Sequence, residues 1–297
     1  MMLMLNPRRL AALAVPLTVA VALSGCSAPE ADPGTVTVMA SFYPLAYVVE
    51  QVGGDLVDVA SLTPPGAEPH DVELSPRQVR DLGDADLAVY LAGFQPSVDE
   101  AVASRAPSIV VDAAASPDVA TALSQHEDDP HFWLDPTLLA AVGHDVAAAL
   151  AEADPDNADT YTAGAAALDD TLLGLDADLT AGLTGCERDV IVTAHAAFGY
   201  LAARYGFEQV GVSGLDPESE PSPARLREIR DVVTEHGVTT IFTEALVSPD
   251  VAETLAGDLG VTTAVLDPIE SQVDPGTDYR GAMEQNLVAL RAAMGCS

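Results

Sequence analysis

The chain has 297 residues, 12 basic against 46 acidic, and a formal net charge of −34. Every basic residue is arginine, and a surface of this sign repels nucleic acid and anionic lipid, which removes both as partners. Mean hydropathy is +0.21, yet beyond Cys26 no uncharged apolar run approaches the ~20 residues of a membrane span.

The first segment reads as an address. Arg8 and Arg9 precede a continuous apolar run over residues 10–23, the length of a signal-peptide core. Leu23-Ser24-Gly25-Cys26 then forms a lipobox. Residues 1–25 are therefore expected to be a lipoprotein signal, Cys26 the lipidated first residue, and residues 26–35 a polar tether. Loss of Arg8 and Arg9 takes the formal charge from −34 to −34 − 2 = −36. The implied location is extracytoplasmic, on the outer face of the cell membrane, with the membrane contacted through lipid alone. The remaining pair, Cys186 and Cys296, suggests a disulfide in an exported chain. It would close a loop of about 110 residues, a contribution of about 3–5 kcal/mol in the chain-entropy model.

Short β-branched runs follow at 36–41, 56–62, 85–92 and 108–111, with helical segments at 43–52 and 76–82 between them. Ser75-Pro76 reads as an N-cap followed by proline at the first helical position. The second half repeats the scheme, with strands at 190–194, 207–212, 239–243 and 262–266 and helices near 197–205, 223–236, 249–259 and 279–293. This alternation predicts parallel sheets with helices on their faces. Between the halves, Asp154-Pro155-Asp156 starts a helix, and Tyr161, Ala165, Leu168, Leu172, Leu175, Leu179 and Leu183 form one apolar stripe along it. Running to Leu183, it would span roughly 40 Å at 1.5 Å per residue. The expected fold is α/β: two Rossmann-like lobes, 36–153 and 186–297, joined by a long backbone helix over 154–185.

Four fragments carry the chemistry: PHDVELSP with His70, DPHFWLDP with His131, TAHAAFGY with His195, and TAVLDP with Asp267. Three imidazoles and a carboxylate complete the shell of a borderline divalent ion. His195 and Asp267 each follow a strand directly, where open α/β sheets bind ligands. His70 and His131 come from loops of the first half, so the ion is expected between the lobes. Glu244 ends a strand and is a candidate partner for orienting a ligand histidine. Phe132 and Trp133 are expected either to wall the cleft or to fill the core. His144 and His236 read as structural or surface residues. His126, in the short acidic stretch SQHEDDPH, reads as part of a solvated loop.

PHDVELSP, DPHFWLDP, HAAFGYLAARYG, GLDPESEPSPARL and IFTEALVSP together resemble the metal-binding solute-binding lipoproteins of zinc and manganese ABC importers, the ZnuA/TroA-like group. The resemblance runs from about Val36 to the C-terminus. It implies two α/β lobes with the metal buried between them, His70 and His131 supplied by the first and His195 and Asp267 by the second. Manganese-type members tend to carry Glu where His195 stands, so three imidazoles tilt the reading to Zn(II), with Mn(II) or Fe as the alternative cargo.

The function implied is capture of Zn(II) outside the cytoplasm and delivery to a cognate ABC permease, by a monomer. Four protein ligands leave no position for a reactive water, so no enzyme activity is expected. A zinc hydrolase is the rival: it would use Asp267 as a base. It lacks support from an HExxH helix, because Pro130 separates His126 from His131. A receptor for an organic solute or metal-siderophore needs an aromatic cleft, and aromatics make up only 5% of the chain. An adhesin or a periplasmic metal buffer is a third alternative.

Overall fold

Strand β1 (Val36–Ala40) sends Val36, Val38 and Ala40 into one core and Met39 into another, as a period of two requires. It pairs in parallel with β2 (Val57–Ser61) on one side and β3 (Leu87–Tyr90) on the other, and β3 pairs with β4 (Ile109–Asp112). The sheet order is β2-β1-β3-β4. The second sheet uses β5 (Val190–Thr193), β6 (Glu208–Gly211), β7 (Thr240–Thr243) and β8 (Thr262–Val265) in the same pattern, β6-β5-β7-β8, again all parallel. Two parallel sheets with helices around them match the α/β expectation. This is a computed structural model that describes residues 34–126 and 129–297. The expected signal segment, Cys26 and the tether as far as residue 33 lie outside the described residues.

The main core lies between the sheets. Helices α1 (Tyr43–Gly53), α5 (Pro136–Ala153), α6 (Ala158–Gly182) and α10 (Tyr279–Met294) all bury side chains in it. The outer faces are covered separately. Leu82 from α2 (Pro76–Asp84) and Val98 and Ala101 from α3 (Pro96–Arg105) pack on Met39 and Ala88. Ile229 and Val233 from α8 (Pro223–Glu235) and Leu255 from α9 (Asp250–Leu259) pack on Val192 and Ile241. The described chain from residue 34 to Ser297 forms one compact unit.

Helix α6 has 25 residues and so spans about 37 Å. A single turn of 3-10 helix, Pro155–Asn157, precedes it, so the regular helix starts later than Asp154-Pro155 suggests. Tyr161, Ala165, Leu168, Leu172, Leu175 and Leu179 are all buried, which confirms the single stripe. Near one end Gly164 lies against the Val52 backbone of α1, and at the other Gly182 lies against Leu287 of α10. The helix therefore packs on elements from both halves of the chain. Just past it, Cys186 is bonded to Cys296, 110 residues away, which ties the C-terminus to the start of the second sheet. Among the described residues, no helix is long and apolar enough to cross a membrane.

Candidate metal centre

The order β6-β5-β7-β8 reverses direction between β5 and β7, and such a switch point opens a crevice beyond the strand ends. Ala194 and His195 follow β5, and Glu244 follows β7, so both side chains arise at this crevice. The Glu244 carboxylate accepts the backbone N–H of His195 at 3.1 Å and holds its ring Nδ1 at 2.6 Å. With Nδ1 occupied, Nε2 is the atom left to face inward.

His131 is fixed by the same device from a different element. Asp129 Oδ1 accepts the His131 backbone N–H at 3.0 Å and lies 2.6 Å from its Nδ1. His131 then leads into a 3-10 turn, Phe132–Leu134, before Asp135 caps α5 by accepting the N–H of Thr137. His70 sits on the loop after β2. Buried Gln95 pins that loop, donating to the carbonyl of Pro69 at 3.1 Å, and Glu68 accepts the His70 N–H at 3.1 Å. Phe94 lies edge-on to the His70 ring.

The three Nε2 atoms converge on one carboxylate oxygen, and it belongs to Glu270. Glu270 Oε1 lies 3.4 Å from His70, 3.1 Å from His131 and 3.3 Å from His195, and the Nε2 atoms of His131 and His195 are 3.4 Å apart. All four candidate ligand atoms lie within 4.8 Å of one another. Bonds of about 2.0–2.1 Å, as zinc makes to nitrogen and oxygen, give a tetrahedron edges of about 3.3–3.4 Å. The four separations among Glu270 Oε1, His131 Nε2, His195 Nε2 and the Glu270–His70 pair fit that figure. The His70 nitrogen lies within 4.8 Å of the other two imidazoles, so a small ion at the centre would draw the His70 ring in to reach all four atoms.

The sequence reading assigns the fourth position to Asp267, and the structure differs. Asp267 Oδ1 accepts the N–H of Ile269 at 2.8 Å, closing a tight turn, and Asp267 is absent from the convergent group. Its carboxyl is held above the usual range by burial first, and also by repulsion from Glu270 and Glu244. The turn places Glu270 among the imidazoles, three residues further on. Asp-Pro is a turn-starting pair, the available sign that Asp267 shapes the loop.

Electrostatics agree with this geometry. Burial works against an ionised Glu270, but the three histidines outweigh it and hold its carboxyl well below the ordinary range. Burial also opposes a charge on His195, yet the Glu244 and Glu270 carboxylates raise it to about 10. His131 is raised in the same way by Asp129 and Glu270. The surroundings thus favour positive charge at the centre.

The other singled-out residues lie elsewhere. Trp133 is fully buried, donates to the Pro268 carbonyl at 2.8 Å and packs beside His131, so it belongs to the core and the site wall together. Fully buried Phe132 packs edge-on to Trp133. His126 stacks on Tyr200 with ring centroids 4.1 Å apart. Exposed His144 pairs with Asp169 between α5 and α6, and His236 caps the end of α8.

Comparison with known proteins places this arrangement. The family described as zinc-uptake complex component A, periplasmic, matches residues 38–293. A high-affinity zinc uptake system protein of Bacillus subtilis is 33% identical over 278 residues, covering 86% of this chain and 87% of the relative. A zinc-binding lipoprotein of Streptococcus pneumoniae is 32% identical over 91% of this chain, which spans 58% of that longer protein. Its zinc-bound ZnuA-like domain superposes with a TM-score of 0.75 at 33% identity, over 88% of this chain and 99% of the domain. A laminin-binding protein of Streptococcus agalactiae, described as a bifunctional adhesin and metal transporter, gives a TM-score of 0.77 at 32% identity, over 87% and 99%. The chain belongs to the zinc-uptake complex component A family.

Proposed function

We propose that this chain is the extracytoplasmic binding component of a zinc importer. It captures Zn(II) with His70, His131, His195 and Glu270 and delivers the ion to a membrane ABC permease. The observation that carries the reading is the convergence of three Nε2 atoms on Glu270 Oε1 at separations of 3.1–3.4 Å, which match the nitrogen–oxygen edges of a tetrahedral shell. A closed shell has no open position for an activated water, which argues for binding rather than hydrolysis. Three imidazoles favour zinc over a harder ion. The names of the relatives, a zinc uptake protein and a zinc-binding lipoprotein, support the same cargo. Cys26, lipidated after removal of residues 1–25, would anchor a monomer to the outer face of the membrane, beside the permease.

Elemental analysis of the soluble chain lacking residues 1–26, purified without added metal, tests the reading alongside His195→Ala. One zinc per chain, lost or much weakened in the variant, is the expected result. Manganese or iron in its place would reverse the cargo assignment. An empty protein that stays empty when zinc is supplied would overturn the reading.

A further inference from the structure

We propose that Asp267 is a positioning residue that holds Ile269 in a left-handed backbone conformation and thereby delivers Glu270 to the metal. This rests on the reading of Glu270 as the fourth ligand. Among the described residues other than glycine, Ile269 alone has a positive φ, at 56°. A β-branched residue is an outlier there, because its Cβ crowds the backbone. Such a conformation persists only where the surroundings over-determine it.

The surroundings do so residue by residue. The Asp267 N–H donates to Asn286 Oδ1 at 2.8 Å, and Asn286 Nδ2 donates back to the Asp267 carbonyl at 2.6 Å, which clamps the turn to α10. The Pro268 carbonyl is taken by Trp133 Nε1. The Ile269 side chain is buried at 1% exposure, and its N–H is taken by Asp267 Oδ1. Ser271 Oγ accepts the Gly66 N–H from the first half of the chain at 2.7 Å. In this series the Asp267 carboxylate makes the one side-chain contact to the N–H of the strained residue. It borders a cavity of about 220 Å³ with Tyr43, Gln285 and Asn286, which none of the three imidazoles lines. Asp267 therefore acts on the metal through the course of the backbone. Relaxation of Ile269 to a negative φ would redirect the next residue, and Glu270 would leave the imidazoles.

A double-mutant cycle on zinc affinity in the full chain, read by chelator competition, tests this. Glu270→Ala is expected to weaken binding by about 100-fold and Asp267→Ala by about 10-fold, the range seen when ligands or their supports are removed. Because Asp267 acts through Glu270, the double variant should bind within about twofold of Glu270→Ala, where independent sites would multiply their losses. Asp267→Asn keeps the acceptor oxygen and should stay within about threefold of the wild type, since the hydrogen bond rather than the charge carries the effect. Unchanged affinity in Asp267→Ala, multiplied losses in the double variant, or an Asn variant as weak as Ala would each overturn the positioning role. Wild-type affinity in Glu270→Ala would instead strike the fourth-ligand reading, and the proposal with it. Should Asp267→Ala not fold, Asp267→Asn decides alone, with retained affinity supporting the role and lost affinity overturning it.

Discussion

Glu244 grips His195 at two points, its Oε1 on the backbone N–H at 3.1 Å and its Oε2 on ring Nδ1 at 2.6 Å. One contact fixes where the residue starts and the other fixes how the ring turns. Both residues are buried, so neither bond is replaced by water when it is lost. Asp129 treats His131 in the same way from the other half of the chain.

Removing the grip should therefore cost metal affinity. Glu244→Ala is expected to weaken zinc binding by about 10- to 100-fold, because the ring loses its orientation and basicity. Glu244→Gln keeps one acceptor oxygen and should fall between that variant and the wild type. Chelator competition on the two variants measures both. Wild-type affinity in Glu244→Ala would mean that packing alone orients His195.

The same carboxylates make zinc compete with protons. In the metal-free protein His195, raised to about 10, carries a proton at neutral pH, and His131 is shifted in the same direction. Zinc needs the Nε2 lone pairs of both rings. Binding at pH 7 should therefore release the His195 proton, with a further contribution from His131, and affinity should rise with pH through the neutral range. Calorimetry in buffers of different ionisation enthalpy counts the protons. A heat of binding independent of buffer would contradict the charged state. Stability follows the same linkage. A histidine raised on folding contributes stability that is fully present below its ordinary value of 6.5 and is lost as pH rises through about 10. The metal-free protein should lose thermal stability across that window, and the zinc-loaded protein, whose rings hold no such protons, should not.

How much of this was legible in the sequence depends on how local each signal was. The strand preceding His195 is a run of apolar residues that stops at the carboxyl end of the sheet, and such runs show their ends. Cys186 and Cys296 were readable as a pair by parity and compartment. The stripe from Tyr161 to Leu179 was readable because one helix face meets one core. Glu270 was not, because its role depends on the turn before it. In TAVLDPIES the first acid after the strand is Asp267, and position alone favours it. Only the positive φ of Ile269 carries the chain round to Glu270, and isoleucine is among the residues least associated with that conformation. Asp129 is hidden in the sequence for a related reason. It is one of several acids in a loop that reads as solvated, and only its contact with His131 separates it from the rest.

The long helix offers a test of the packing that holds the two halves together. A Cβ built on Gly164 would lie 2.2 Å from the carbonyl oxygen of Val52 in α1, and backbone cannot swing aside as a side chain can. Gly174, ten residues along the same helix, has nothing within 4 Å of its Cβ position. The two glycines should therefore respond oppositely to alanine. Gly174→Ala is expected to stabilise the metal-free protein by up to about 1 kcal/mol, the helix-propensity gain with no steric cost. Gly164→Ala gains the same propensity but forces α6 away from α1, and overpacking of this kind costs about 1–3 kcal/mol. Denaturant unfolding of the two variants, compared at equal slope, gives both signs. Stabilisation by both would show that the α1–α6 contact yields to a methyl group, and would remove close backbone approach as the reason for glycine at 164.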